Sequence, residues 1–212
     1  FIQCVGSRDP ERPYCSRVCC PTTLKQALAL KAANPEMTIF VFYRDMMSPG
    51  FAETYFTAAR RAGVIFVPYH RRHPPTVVAG DGRKPLRVLA EDPVLGAPVE
   101  VATTKVVLAT GVNPSLPAEL AAAYGAVRDP DGFFGEADGK WRPVESLADG
   151  VFACGLALGP RDISAAVTSA RAVHTRAVPV STSRPPPPWI SAGSLGTCSP
   201  PATSGQTGTR RP

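Results

Sequence analysis

The chain has 212 residues, 44% of them hydrophobic, which is enough for one good core or two small ones. Its net charge of +6 comes from scattered residues: Arg71-Arg72 and Arg210-Arg211 are only doublets without interleaved aromatics, which argues for a solvated basic surface and against nucleic acid as a partner. No stretch approaches the roughly 18 apolar residues of a membrane span. Because Phe1-Ile2-Gln3 opens the chain without an initiator methionine or a secretory leader, we expect a cytoplasmic piece of a longer polypeptide.

In chain order, Phe1 to Gly6 reads as a short buried strand running into a glycine turn. Cys4, Cys15, Cys19 and Cys20 follow the spacing C-x10-C-x3-C-C. Thiolates are soft ligands, and this spacing alone leaves three readings open: a cubane iron–sulfur cluster, a structural zinc, or disulfides and free thiols. Thr22 to Ala33 carries Leu24, Ala27, Leu28 and Lys31 at helical spacing. Pro21 suits its first turn, Thr22 or Thr23 is expected to cap it, and Asn34-Pro35 stops it. Met37 to Tyr43 is the second strand of a βαβ unit, Phe51 to Ala62 a second helix closed by Gly63, and Val64 to Tyr69 the next strand.

The runs Cys4-Val5-Gly6-Ser7-Arg8-Asp9, Tyr14-Cys15-Ser16, Cys19-Cys20 and Phe42-Tyr43-Arg44-Asp45-Met46 resemble the A-type CoB–CoM heterodisulfide reductase iron–sulfur subunit family. That family comprises flavoproteins of thioredoxin-reductase type. The resemblance covers residues 1–178 and implies a [4Fe–4S] cluster on Cys4, Cys15, Cys19 and Cys20, with FAD as second cofactor. A dinucleotide-binding fold would place G-x-G-x-x-G between its first strand and helix, where this chain has cysteines. The helix N-terminus that usually cradles pyrophosphate therefore faces the thiols, and free amides there suit an anionic cluster as they suit phosphate. Asp45 then has no ribose to hold and reads as a surface or loop-capping acid.

Leu86–Ala90 and Val99–Ala102 read as a hairpin around Asp92-Pro93 and Gly96. Residues 104–111 form an apolar strand ending in Ala109-Thr110-Gly111, similar to the element that returns two-dinucleotide-domain flavoproteins to their FAD domain. Asp131 to Phe134 reads as a turn entering a strand, and Gly150 to Gly155 as a further strand. The latter resembles the last FAD-binding strand of that superfamily, except that Leu156 stands where an aspartate usually holds the ribityl chain. The helix predicted from Asp162 to Thr175 would point its N-terminus, with Asp162 and Ile163, at the flavin. Thr110, Gly111, Gly155, Leu156, Asp162 and Ile163 are thus the FAD contacts that the resemblance implies. Cys154 reads as a packed thiol, and His70, His73 and His174 lack metal-ligand spacing.

From Pro179 the composition turns to Pro, Ser, Thr and Gly, with Pro185 to Pro188 at the centre, and disorder is expected over 179–212. The fold class expected is α/β, with three segments. Residues 1–103 would be a Rossmann-like domain carrying the cysteine loop, 104–178 the C-terminal part of an FAD-binding domain, and 179–212 the tail. The function implied is that of an oxidoreductase subunit passing electrons between FAD and the cluster, alongside other redox subunits of a heterodisulfide reductase-like complex. Lacking the first glycine-rich FAD loop, the chain alone is expected to bind FAD poorly. The alternatives are an NAD(P)H-dependent flavin oxidoreductase fragment, which needs a phosphate loop not found here, and a zinc-stabilised structural domain.

Overall fold

The computed structural model describes residues 1–80 and 85–183, with side chains as far as Val178. The chain runs β1 (Ile2–Val5), α1 (Cys19–Ala33), β2 (Phe40–Tyr43), α2 (Glu53–Arg61) and β3 (Ile65–Pro68). It continues through β4 (Thr76–Val78), β5 (Leu86–Asp92), β6 (Ala97–Thr103), β7 (Leu108–Thr110), α3 (Ala118–Ala123) and α4 (Ile163–Ser183). Four strands form a parallel sheet in the order β3-β2-β1-β7, and β4-β5-β6 form an antiparallel sheet inserted between β3 and β7. The fold is α/β, as expected, with the order of a dinucleotide-binding half-domain.

Of the central strands of the parallel sheet, β2 packs on both faces, which is why it reads as an unbroken apolar run, while β1 breaks its run at Gln3. Along β2, Val41 joins Leu24 and Ala27 of α1, Ala59 of α2, Ile39 and Val64 on the helical face. Phe42, one residue on, points the other way and packs with Ile2, Val67, Val88 and Val101 under the antiparallel sheet. Fully burying a side chain such as Leu24 or Phe42, both at most 2% exposed, contributes roughly 1.5–3 kcal/mol. Gln3 is a polar exception in this core: its amide Nε2 donates to Thr23 Oγ1 at 2.6 Å, and its backbone carbonyl accepts from the Tyr69 hydroxyl at 2.7 Å.

Several boundaries differ from the sequence expectation. Helix α1 starts at Cys19, not Thr22, so two cysteines occupy its first turn, and no side chain caps it. Thr23 is instead taken up by Gln3. The strand expected over 104–111 is ordered as β only at Leu108–Thr110. Phe134 and Phe152 each make a single isolated bridge, to Arg128 and Glu145, so the two expected strands around them do not form. Strand β4 follows Pro74-Pro75 and is too short to announce itself by alternation. Helix α4 begins at Ile163 and runs past Thr175 to Ser183, so residues 179–183, expected to be disordered, are helical. The tail from Arg184 onward, with Cys198, lies outside the described residues. No helix among the described residues is long and apolar enough to cross a membrane.

Residues 111–162 are mostly irregular. They are anchored by a small core in which Val144, Ala153 and Leu158 meet Ala172 and Val173 of α4. Asp162 begins α4 as expected: its carboxylate accepts from the Ala165 amide at 2.7 Å.

Candidate cofactor site

The site is built at the C-terminal ends of β1 and β7 and the N-terminus of α1. Between β1 and β7 the pairing goes from Ile2↔Leu108 to Val5↔Thr110, three steps on one strand against two on the other. The extra residue is accommodated at Cys4, whose φ of 59° is left-handed. A bulge of this kind re-aims a side chain out of the normal pleat, and here it turns the thiol away from strand alternation. Arg8 and Arg17 have φ values of 57° and 59°. These three are the non-glycine residues with positive φ among the described residues, and all three line one small cavity together with Ser7, Cys15, Cys19, Cys20 and Met47. Left-handed backbone at residues with a Cβ costs about 1–2 kcal/mol each and gathers at functional sites.

The loop carrying these residues is fixed from several sides. Residues 9–13 form a turn pinched at its base, where the Arg8 amide donates to Tyr14 O at 3.0 Å and the Asp9 amide to Arg12 O at 3.1 Å. Arg44 donates from Nη1 to Arg8 O at 2.9 Å and from Nη2 to Ser7 O at 3.0 Å. Tyr14 reaches across to Val112 O at 3.0 Å and stacks edge-on against Phe133, ring centres 5.3 Å apart. Ser16, fully buried, accepts from the Val112 amide at 2.9 Å. Below it lies Gly111, where a Cβ would stand 2.7 Å from Ser16 Oγ and 2.9 Å from Ser7 Cβ. No side chain fits there.

The four predicted ligands are thus brought to one cavity. Cys19 donates its thiol to Thr110 O at 3.6 Å, and Cys20 to Asp45 O at 3.8 Å. The Arg17 amide donates to Cys15 Sγ at 3.3 Å. Burial, reinforced by the neighbouring Cys4 and Cys15, pushes the Cys19 thiol above its ordinary range. Burial pushes Cys20 up to about 11, against the pull of the Met47 amide. Four thiols so placed give up their protons together only against a compensating positive charge. None of the five described cysteines is in a disulfide. Among the described residues, no three of His, Cys, Asp or Glu converge on a site for a single metal ion; the four thiols surround a common cavity instead.

Asp45, expected to be a surface or capping acid, pairs with Arg8 at 2.6 Å. Arg8 Nη1 is buried with no hydrogen-bond partner. The donor set is therefore four soft thiols beside an unpaired guanidinium N–H, which suits an anionic iron–sulfur cluster.

Beside this cavity opens a cleft of about 710 Å³, and Cys15 and Arg17 form a wall common to both. Its other walls include Phe133, Glu136, Gly159, Pro160 and Arg161, and Arg161 Nε is buried without a hydrogen-bond partner. The residues predicted to touch FAD do not line this cleft. Thr110 and Gly111 lie beneath the cysteine loop. The Gly155 amide is bound to Ser169 Oγ at 2.9 Å, Asp162 caps α4, and Leu156 and Ile163 are exposed. Their neighbours Gly159 to Arg161 form the wall instead. Sequence reasoning missed Arg161, for which it had no signal, while Arg8 and Arg44 stood within the family motif without a role.

A dinucleotide-type parallel sheet with four thiols in place of the phosphate loop defines the class as Rossmann-like and cysteine-centred. Sequence comparison makes it particular. Over 182 residues, 84% of the chain, it is 40% identical to the second A-type CoB–CoM heterodisulfide reductase iron–sulfur subunit of Methanopyrus kandleri, covering 27% of that protein. It is 39% identical over 185 residues to the A-like heterodisulfide reductase protein of Archaeoglobus profundus, covering 84% of the chain and 25% of that protein. It is 38% identical over 187 residues to the A-type component of the H2/formate:CoB–CoM heterodisulfide, ferredoxin reductase of Methanococcus maripaludis, covering 85% of the chain and 28% of that protein. The resemblance read from the cysteine motif is borne out. The chain spans about a quarter of the length of these curated relatives. No protein-family model matches it. Among solved structures, the copper complex of the HOCl-induced flavoprotein disulfide reductase RclA from Escherichia coli aligns with 74% of this chain and 33% of its own, at 15% identity and a TM-score of 0.48.

Proposed function

We propose that this chain is the cluster-holding part of an oxidoreductase subunit of the A-type heterodisulfide reductase kind. Cys4, Cys15, Cys19 and Cys20 would hold a [4Fe–4S] cluster, and FAD would occupy the adjoining cleft. The observation that carries the reading is the gathering of all four thiols on one cavity whose wall, through Cys15 and Arg17, is also a wall of the cleft. When bound, the pair of cofactors supplies two-electron chemistry at flavin and single-electron steps at iron.

The chain's own residues do the holding. The bulge at Cys4 and the first turn of α1 aim thiols inward, and Arg44 and Gly111 fix the loop behind them. Thr110 and Gly111 shape the cleft indirectly, by seating the cysteine loop. Gly155 and Asp162 do so by seating the segment Gly159 to Arg161. Other redox subunits of a heterodisulfide reductase-like complex are the partners this reading implies, in the cytoplasm.

The test is iron, sulfide, zinc and flavin content with a visible spectrum, on anaerobically purified protein and on the Cys19→Ala, Cys20→Ala double variant. About four irons and four sulfides, lost in the variant, are expected. One zinc and no iron would refute the cluster and favour a structural domain.

A further inference from the structure

We propose that Arg8 sets the reduction potential of the centre held by the four cysteines, acting as a fixed positive charge and hydrogen-bond donor, with Asp45 as its partial counterweight. This rests on the cluster reading above and assigns a role to a residue that coordinates nothing.

Two of the cavity's lining residues carry charge, Arg8 and Arg17. Arg17 is exposed, where solvent screens it, whereas the Arg8 side chain is 28% exposed. The backbone of Arg8 is fixed at both ends: its amide donates to Tyr14 O at 3.0 Å, and its carbonyl is held by Arg44 at 2.9 Å. Its left-handed φ of 57° sets the direction in which the side chain leaves the loop. One terminal nitrogen, Nη2, is committed to Asp45 at 2.6 Å, while the other, Nη1, is buried with no acceptor in the protein. Buried guanidinium donors are ordinarily satisfied, so an acceptor belongs beside Nη1, and a thiolate or sulfide of the centre carries the negative charge to accept from it. Arg44 Nε is also buried without a partner, but Arg44 does not line the cavity and both its terminal nitrogens serve loop carbonyls, so Arg8 is the one of the two placed to face the centre.

Reduction of the centre adds one electron, breaks no bond and takes up no proton, so its negative charge grows by one. A cation fixed at the wall favours that state, and an anion near it disfavours it. Arg8 and Asp45 therefore act in opposite senses. Asp45, with its side chain 61% exposed, acts the more weakly.

The experiment is a dithionite titration with mediator dyes on the intact, cluster-loaded protein, followed by electron paramagnetic resonance. Arg8→Gln is expected to lower the reduced-to-oxidised ratio at a fixed potential by about tenfold, a fall of ~59 mV for a one-electron couple. Asp45→Asn raises that ratio by about two- to threefold, since it removes a screened charge. Arg8→Lys, which keeps the charge without the fork, falls between native and Arg8→Gln. Shifts of one sign in both variants, or none in either with the iron content unchanged, overturn the inference. Should Arg8→Gln fail to load, Asp45→Asn decides alone, because its exposed side chain is no part of the core. A native protein that takes up zinc or no iron overturns the cluster reading itself, which distinguishes the two failures.

Discussion

Gly111→Ala isolates the contact that seats the cysteine loop. Its backbone is not in the left-handed region, so the substitution is resisted by space alone. An ideal Cβ would meet Ser16 Oγ at 2.7 Å, Ser7 Cβ at 2.9 Å and Gly6 O at 3.0 Å. None of these can swing aside: Ser7 and Ser16 are at most 2% exposed, Ser16 is bonded to the Val112 amide, and Ser7 O is held by Arg44. Overpacking of this kind costs about 1–3 kcal/mol. For a chain of this size that is a fall in Tm of roughly 2–12 °C, at about 2–4 °C per kcal/mol. Thermal unfolding followed by circular dichroism reads it, and iron uptake should fall with it, because the displaced loop carries Cys15. Gly139→Ala is the control, its new Cβ meeting the end of the flexible Glu136 side chain at 3.4 Å. A Tm for Gly111→Ala within about 1 °C of the control, less than the smallest shift the overpacking cost allows, would refute the argument that close packing, not turn geometry, requires this glycine.

Two further perturbations probe the surroundings. Arg44→Ala removes two charge-assisted hydrogen bonds to the loop and should cost about 1.5–3 kcal/mol in urea unfolding. Arg44→Lys should recover less than half, since one ammonium does not span Ser7 O and Arg8 O as the fork does. Burial pushes the Tyr69 hydroxyl up to about 12 from its ordinary value of 10. The folded state therefore keeps a proton that the unfolded chain loses first, so this contribution is complete below about pH 10 and is lost as pH rises from about 10 to 12. In Tyr69→Phe, stability should decline less steeply across that window, and the phenolate absorbance titrating near pH 12 should be missing.

The alternation from β1 to β3 was legible because two-sided burial demands apolar runs and Asn34-Pro35 and Gly63 punctuate them. The expected strands at 131–134 and 150–155 failed because apolar residues alone do not make a strand: Phe134 and Phe152 find one bridging partner each and no ladder. In the site, cysteine spacing was legible because ligands cluster locally. The left-handed backbone at Cys4, Arg8 and Arg17 was not, since those residue types do not favour it and only the assembled cavity imposes it. The packing role of Gly111 was not legible because its contacts, Ser7 and Ser16, lie far back along the chain. Arg44 lay in a family motif, but its two carbonyl partners are backbone atoms that no residue pattern marks.

The pinched turn over residues 9–13 bears on how the cysteine spacing is to be counted. Because Arg8 and Tyr14 are bonded backbone to backbone across its base, the placement of Cys15 relative to Cys4 is set at the neck and not by the excursion beyond it. Glu11 in that excursion is exposed. Insertions or deletions there would change the number of residues between the two thiols without moving either, since exposed loop tips absorb length changes at little cost. A chain with a longer or shorter excursion can therefore hold the same centre, and the first gap of the motif is the one least suited to defining it.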